Sequence, residues 1–294
     1  FLTQDEMNHS AAHLYLNLMK QVLSFSLWPE PPIPLDEIRE PERGRWRRWV
    51  GRRIACVLKR RGLQLVKHAG CSDEERRSGR IWPRSADTMI GLPRLDNIQR
   101  CIESVLRENI EGDFIETGVW RGGACIFMKA VLTAYGVEGR RVFVADSFQG
   151  LPRPDGDKYP ADQGDLLHTF EALAVPLDEV RHNFRKYGLL DDGVVFLPGW
   201  FKDTLPAAPM DKLAVLRLDG DLYGSTMEAL VALYPKLSAG GYCIVDDYAL
   251  PGCQRAVDDF RREHGIGDEL ETVDWTGRYW RKTALHGGAG GVDA

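Results

Sequence analysis

Four aspartates follow two apolar segments of the sequence at the point where each segment ends. Asp219 and Asp221 come after LAVLRL, and Asp246 and Asp247 come after YCIV. If the two segments are neighbouring parallel strands, their carboxyl ends share one edge of a sheet and bring the four carboxylates together. Such a cluster is costly unless a proton or a cation neutralises it. The pattern therefore predicts a divalent-cation site, with Mg²⁺ as the candidate because it binds few carboxylates and keeps positions for water or substrate oxygens.

A metal at this edge would activate the hydroxyl group of an acceptor. It would coordinate the acceptor oxygen and lower its pKa, while a nearby carboxylate removes the proton. The alternative is that separate aspartates cap the following helix and turn. That alternative accounts more easily for one or two of the four residues than for all of them.

A glycine-bearing turn, ETGVWRGG at 116–123, follows another apolar segment. Glycines in such a turn let the backbone approach a ligand, and the N-terminus of the following helix favours a carboxylate or a phosphate. Dinucleotide-binding enzymes have a similar turn, so this segment alone does not identify the ligand.

Asp146 ends the apolar segment RVFVAD and narrows the choice of ligand. A carboxylate there can accept hydrogen bonds from both ribose hydroxyls and would repel a 2′-phosphate, which disfavours NADP. The turn at 116–123 lacks the full GxGxxG that binds a pyrophosphate, which disfavours NAD. A nucleoside-like ligand without a diphosphate remains, and S-adenosylmethionine (SAM) fits. The alternative for Asp146 is a helix N-cap just past a strand.

The segments that must position these residues alternate between strands and helices from about residue 94 onward. The predicted strands are GDFIETGV, RVFVADSF, GVVFLPGW, LAVLRLDGD and YCIVDDYA, and the predicted helices are RLDNIQRCIESVLREN, ACIFMKAVLTAYG, 165–188 and 225–241. Continuous apolar strands between helices are typical of a parallel sheet buried on both faces. The sequence therefore predicts a Rossmann-like α/β fold with a mostly parallel, doubly wound sheet that binds ligands at the carboxyl ends of its strands.

Residues 1–93 differ from this pattern, and we interpret them as an N-terminal helical lid or oligomerisation segment. Leu14, Leu18, Val22 and Phe25 recur at helical spacing, which predicts a docking helix that ends at PEPPIP. This helix could build a dimer or a higher homo-oligomer, or could pack on its own domain.

A basic stretch at 43–79 carries Trp46 and Trp49 among its arginines. Such a stretch could contact a membrane surface or a nucleic acid. A solvated basic face packed on the catalytic domain or on a dimer mate fits the acidic chain better.

The properties of the whole chain exclude several classes of protein. Its 294 residues are 44% hydrophobic and 28% charged, as in a globular protein, and the net charge of -5 gives no general attraction to nucleic acid or to an anionic membrane. No stretch of about 18 apolar residues and no signal-peptide pattern are present, so we expect a cytoplasmic protein without stable membrane insertion. The six cysteines form no CxxC pair, which favours buried reduced thiols over disulfides or zinc.

Five motifs in order resemble one family over roughly residues 80–283. WPRSADTMIGLPRLDN, ETGVWRGG, VADSFQGLP, LRLDGDLYGSTMEAL and GGYCIVDDY are similar to the TylF/MycF family of SAM- and Mg²⁺-dependent sugar O-methyltransferases, which includes macrocin O-methyltransferase and NovP-like enzymes. The resemblance implies a SAM-dependent methyltransferase domain at 94–294. It further implies methylation of one hydroxyl of a deoxysugar on a natural-product (antibiotic) scaffold.

The resemblance also implies roles for individual residues. Asp219, Asp246 and Asp247 would hold the metal, and Asp221 would be the general base, although Asp219 and Asp221 could exchange these roles. The residues implied to bind SAM are Glu116, Gly118, Asp146 and Ser147, with Thr88 and Met89 closing over it. Trp200 and Phe201 would contact the SAM adenine or the sugar, or else are ordinary core aromatics.

Three other functions are alternatives to this one. A catechol-type or caffeoyl-type O-methyltransferase would use the same carboxylates and metal on a small aromatic acceptor. A SAM-binding module without catalysis has no reason to gather four carboxylates. An NAD-dependent sugar epimerase or dehydrogenase would need a pyrophosphate-binding glycine loop and a YxxxK pair, and the sequence offers neither in a suitable place.

Overall fold

A computed structural model of the chain describes residues 4–34, 53–68, 70 and 72–283. Its α-helices are α1 (Gln4–Leu23), α2 (53–59), α3 (Asp73–Arg77), α4 (Leu92–Arg107), α5 (Gly123–Ala134), α6 (Leu177–Lys186), α7 (Phe201–Thr204), α8 (Tyr223–Leu233) and α9 (Pro251–Glu263). Its strands are β1 (Ile33–Pro34), β2 (Val66–Lys67), β3 (Asp113–Thr117), β4 (Val142–Asp146), β5 (Val194–Pro198), β6 (Leu213–Leu218), β7 (Leu237–Val245), β8 (Glu271–Thr272) and β9 (Arg278–Arg281).

The central sheet has the strand order β5-β4-β3-β6-β7-β9-β8. The run from β5 to β7 is parallel, and β9 pairs antiparallel with both β7 and β8. Apolar side chains cover both faces: Phe114 belongs to a core with α1, α4, α5 and α6, and its neighbour Ile115 to a core with α8 and α9. The predicted Rossmann-like, mostly parallel α/β fold is confirmed.

The strand order reverses between β3 and β6. From β3 the chain proceeds to β4 and β5 on one side, whereas β6 and β7 lie on the other side. Thr117 is in register with Leu218, and Leu218 with Val245, so these strands end at one level. Ligands bind at such a reversal in doubly wound sheets because the loops diverge there and leave a crevice.

Helix α1 packs on its own domain through a face that the sequence analysis did not select. Leu16, Met19 and Leu23 are buried against the core, whereas Leu14 is 69% exposed and Leu18 is 52% exposed. The predicted docking face was therefore wrong for contacts within the chain, since leucines lie on both sides of this helix and periodicity alone selected the outer one. Phe25 lies beyond the helix with φ 56°.

Two predicted helices are shorter than expected. Within 165–188 only α6 is α-helical, and short 3₁₀ turns at Leu167–Thr169 and Glu171–Leu173 precede it. Within 225–241, α8 ends at Leu233 and β7 begins at Leu237, because Pro235 does not continue an α-helix.

Residues 53–65 of the basic stretch are mostly exposed, whereas Arg76, near the end of the stretch, is buried and forms an ion pair with Glu30 at 3.3 Å. Residues 53–65 carry Ile54 and Val57 on the surface, at 48% and 55% exposure. Trp46 and Trp49, on which part of that interpretation depends, lie outside the described residues. The division of the chain at residue 93 stays a prediction.

The structure also bears on the expectations about membrane helices and cysteines. None of the described helices is long and apolar enough to cross a membrane. The five described cysteines are free thiols, and four of them are buried as expected, while Cys56 is exposed.

Candidate active site

A cavity of about 580 Å³ opens at the carboxyl edge of the central sheet. Its walls come from the loops after β3, β4, β5, β6 and β7 and from the segment before α4. Every residue given a SAM-binding, metal-binding or catalytic role from the sequence lines it: Thr88, Met89, Glu116, Gly118, Asp146, Ser147, Trp200, Phe201, Asp219, Asp221, Asp246 and Asp247. The fold thus brings all of the candidates to one site, and their individual roles remain predictions.

Three of the aspartates form a compact donor set. One carboxylate oxygen from each of Asp219, Asp246 and Asp247 lies within 4.8 Å of the others. Asp221 stands beside them, and its backbone N–H donates to Asp247 Oδ2 over 3.3 Å. Carboxylate oxygens are the ligands that Mg²⁺ prefers, so the residues present fit this ion.

Burial and mutual repulsion raise the pKa values of the carboxyl groups in this cluster. Burial, together with the neighbouring Asp219 carboxylate, raises the pKa of Asp221 to about 8. Burial and neighbouring carboxylates also raise the pKa of Asp219 and that of Asp247 above the ordinary aspartate value. A bound divalent ion would oppose these rises and favour the ionised forms.

Arg217 connects the acidic strand ends beneath the cavity floor, and the sequence analysis did not identify it. This residue of β6 is 1% exposed, and its guanidinium forms ion pairs with Glu116, Asp246 and Asp219, the last at 2.8 Å. Burial alone would lower the pKa of Arg217, but these carboxylates raise it above the ordinary arginine value. An arginine inside the apolar segment LAVLRL was the available signal, because a buried arginine requires acidic partners.

Arg94 of α4 is a second buried cation at the site. Its guanidinium pairs with Asp246 and with Asp274, the latter at 3.0 Å, and donates to the Gly79 carbonyl over 3.2 Å. Asp246 therefore accepts from Arg94 through one oxygen and from Arg217 through the other. Two arginines on different elements fix the orientation of this carboxylate, while each oxygen keeps a further lone pair for a metal.

Glu116 lies at the buried end of β3 between Arg217 and a thiol. The Cys125 S–H donates to Glu116 Oε2 over 2.9 Å. Burial raises the pKa of Glu116 to about 7, although the Arg217 guanidinium opposes that rise. Cys125, buried in α5, is thus a polar contact in this site and was expected only as a core thiol.

Asp146 joins the loops that follow β3 and β4. One carboxylate oxygen accepts from the Val119 N–H over 2.8 Å, and the other accepts from the Phe148 N–H over 2.7 Å. These donors belong to loops, so Asp146 does not cap a following α-helix, which was the alternative considered. The neighbouring Ser147 hydroxyl donates to the Gly150 carbonyl over 2.7 Å and shapes the same turn.

Gly118 is required by the close approach of two strand ends. It has φ 83°, and a Cβ at this position would lie 1.7 Å from the Asp219 carbonyl oxygen. A side chain at residue 118 would therefore displace Asp219 and the donor set with it.

Thr88 and Met89 are held against the start of α5. The Thr88 N–H donates to the Leu23 carbonyl over 3.2 Å, and the Gly123 N–H donates to the Asp87 carbonyl over 3.0 Å. Lys186 forms an ion pair with Asp87 at 2.6 Å and secures the segment further. Trp200 and Phe201, at the start of α7, are partly buried and line the same cavity from the β5 side.

A second polar group lines the cavity beside α8 and was not identified from the sequence. The Tyr159 hydroxyl donates to Glu228 Oε1 over 3.4 Å, and Lys158 lies 3.7 Å from the same oxygen. Asp162 accepts from the N–H groups of Tyr223 and Gly224 at 2.6 and 2.9 Å, which caps the start of α8. Lys158, Tyr159 and Asp162 lie in a segment without regular hydrophobic spacing, so the sequence did not indicate that they contact α8.

A doubly wound sheet with a cavity at its reversal and paired acidic strand ends has the architecture of a Rossmann-like α/β enzyme. Residues 12–282 match the family described as Macrocin-O-methyltransferase (TylF), and the chain belongs to this family of O-methyltransferases. The resemblance noted in the sequence is therefore confirmed, and the alternative of a catechol-type enzyme gains no support.

Similar proteins occur in other bacteria. The chain is 48% identical over 280 residues to the 8-demethyl-8-(2,3-dimethoxy-alpha-L-rhamnosyl)-tetracenomycin-C 4'-O-methyltransferase of Streptomyces olivaceus, which covers 95% of this chain and 96% of that protein. It is 53% identical to the mycinamicin III 3''-O-methyltransferase of Micromonospora griseorubida over 75% of this chain and 88% of that one. The structure of the O-methyltransferase NovP matches 93% of this chain and 100% of its own with a TM-score of 0.78 and 48% identity.

Proposed function

We propose that this protein transfers the methyl group of SAM to one hydroxyl of a deoxysugar carried on a natural-product scaffold, with Mg²⁺ bound at the aspartate cluster. The observation that carries the proposal is the donor set of Asp219, Asp246 and Asp247 beside Asp221 on the floor of the cavity. Relatives at 48% and 53% identity that act on glycosylated antibiotic intermediates support the acceptor class.

The position of each residue in the cavity suggests its role. Glu116, Gly118, Asp146 and Ser147 would bind SAM, with Thr88 and Met89 above it and Trp200 and Phe201 at its side. When bound, SAM supplies an electrophilic methyl group and Mg²⁺ lowers the pKa of the acceptor hydroxyl. Asp221 would accept the proton of that hydroxyl as its oxygen takes the methyl group, so that the products would be a methyl ether and S-adenosylhomocysteine.

The buried arginines fit this chemistry by their placement. Arg94 and Arg217 hold Asp246 from two sides, so that carboxylate does not need to reorganise when a cation binds. We further propose that the enzyme works in the cytoplasm, and that the exposed Leu14 and Leu18 of α1 contribute to a homo-oligomer.

An acceptor panel tests the proposal. Purified protein is incubated with methyl-labelled SAM, Mg²⁺ and glycosides of tetracenomycin, macrolide and aminocoumarin type, with catechol as the competing class, and products are measured by mass. We expect one methyl group on the sugar of at least one glycoside. Turnover with catechol and with no glycoside would move the assignment to the small aromatic acceptors.

A further inference from the structure

Two aromatic side chains stand exposed beside each other at the cavity. Trp82 is 54% exposed and Phe170 is 47% exposed, and their ring centroids are 5.4 Å apart with an interplanar angle of 71°. Trp82 also lines the cavity, as does Leu167 from the same loop as Phe170. The pair therefore continues the cavity wall outward to the protein surface.

An exposed pair of this size needs an explanation. Aromatic side chains stabilise proteins mainly through the large apolar area that they bury, and exposed apolar patches commonly mark binding sites. Trp82 and Phe170 each leave about half of their surface in solvent. Their apolar surface differs from the floor of the cavity, which is charged. The edge-to-face geometry presents two apolar surfaces at nearly a right angle.

Both rings sit on segments that are anchored elsewhere. On the Trp82 side, the Trp275 indole N–H donates to the Ser78 carbonyl over 3.2 Å, and Arg94 donates to the Gly79 carbonyl over 3.2 Å. On the Phe170 side, the Trp120 indole N–H donates to the Ala172 carbonyl over 2.9 Å. The two surfaces are thus preorganised, which lowers the entropic cost of binding a ligand between them.

The polarity of the cavity dictates how a glycoside must enter it. A sugar hydroxyl has to reach Asp221 at the floor, so the group attached to that sugar points outward past the mouth. We infer that Trp82 and Phe170 form the contact surface for the apolar aglycone of the acceptor glycoside. This inference rests on the proposed function, because it takes the acceptor to be a sugar on a scaffold.

Substrate truncation tests the inference. Trp82→Ala and Phe170→Ala are compared with wild type on the glycoside that the panel identifies and on the methyl glycoside of the same sugar. We expect KM for the full glycoside to rise about tenfold with kcat within about twofold, because one large apolar contact is lost. The kcat/KM for the methyl glycoside should stay the same.

Trp28→Ala is the matched control. Trp28 is 47% exposed and packs 5.2 Å from Phe25, but it does not line the cavity. It should leave both substrates unaffected. If turnover of the methyl glycoside is below detection, inhibition by the deglycosylated scaffold replaces it, and its inhibition constant should rise in Trp82→Ala and not in Trp28→Ala.

Other results would overturn the inference. An equal loss of kcat/KM on the full and the truncated substrate would show that Trp82 and Phe170 only hold two segments of the chain together. Unchanged kinetics on both would show that the aglycone lies elsewhere. Absence of methyl transfer by the wild type to every glycoside is a different result, since it contradicts the proposed function itself.

Discussion

The floor and the mouth of the cavity are built in opposite ways. At the floor, buried carboxylates are held by Arg94 and Arg217 through ion pairs that connect α4, β3, β6 and the end of β7. At the mouth, Trp82 and Phe170 contact each other and remain about half exposed. The floor is charged and buried, whereas the Trp82–Phe170 pair at the mouth is apolar and about half exposed.

We expect this difference to separate reaction from recognition. Charge that is fixed in a buried network is already oriented for the transition state, and removing one member affects every substrate. Apolar surface at a mouth affects only the substrates that reach it. Changes at the floor should therefore lower kcat for all acceptors, while changes at the mouth should alter KM in proportion to the size of the acceptor.

The largest expected effect comes from Asp221 at the floor. Asp221→Asn removes the proposed proton acceptor, and kcat should fall by about 10²–10⁴-fold for every acceptor, which is typical of a lost general base. Steady-state kinetics on the full and the truncated glycoside measures it. Asp157→Asn, at an exposed aspartate outside the cavity, is the control and should retain full activity. A variant Asp221→Asn with more than a third of the wild-type kcat would remove Asp221 from the mechanism.

Arg217 should be the largest contributor to stability among the floor residues. Arg217→Met leaves the buried Glu116 without its cation and Asp246 with Arg94 alone, and loss of one member of a buried ion pair costs about 3–5 kcal/mol. Urea unfolding, followed by circular dichroism, gives the free energy of unfolding. The control is Arg255→Met, whose exposed guanidinium lies 3.7 Å from Asp259 and should contribute less than about 1 kcal/mol. Equal costs for the two variants would mean that the floor is not held together by Arg217.

The pH dependence of stability should reveal the strain at the floor. The pKa of Asp221 is raised to about 8 and that of Glu116 to about 7, so their contribution to folding is present at low pH and lost as the pH rises through those values. Without a cation, the free energy of unfolding should therefore decline from about pH 5 to about pH 8.

Mg²⁺ should compensate for that decline because it neutralises the ionised cluster. We expect it to raise the melting temperature by several degrees at about pH 8.5 and by less at about pH 5.5, where protons compete for the carboxylates. Differential scanning fluorimetry with Mg²⁺ or EDTA measures both values. A shift that is as large at the lower pH would contradict the assignment of the raised pKa values to this cluster.

A smaller effect is expected on the α8 side of the cavity. Asp162→Ala removes the acceptor for the N–H groups of Tyr223 and Gly224, and the loss of such a helix cap costs about 0.5–2 kcal/mol. Chemical unfolding measures it, with Asp157→Ala as the control. A cost no greater than that of the control would show that the start of α8 is held by other contacts.

The sequence allowed the floor to be predicted because its residues follow apolar strands. Asp219, Asp246 and Asp146 each stand where an apolar segment ends, and parallel strands bring such ends to one edge. Arg217 also lies in one of these apolar segments but was not identified, since a single arginine in such a segment does not reveal which carboxylates it contacts.

The mouth could not be predicted in this way. Trp82 and Phe170 come from loops that are far apart in the sequence, and only the folded chain shows that they touch. The face of α1 was misassigned for a related reason: leucines occupy both sides of this helix, and its partner α5 decides which side is buried.

Metal dependence of turnover is the most direct test of the central claim that the carboxylate floor binds a divalent cation for methyl transfer. The enzyme is stripped with EDTA, then titrated with Mg²⁺ in the presence of SAM and the glycoside, and S-adenosylhomocysteine is followed for wild type and Asp247→Asn. We predict that EDTA abolishes turnover, that Mg²⁺ restores it in the wild type, and that Asp247→Asn requires far more Mg²⁺ or stays inactive. Turnover that persists in EDTA at the wild-type rate would contradict this account and leave base catalysis by Asp221 alone.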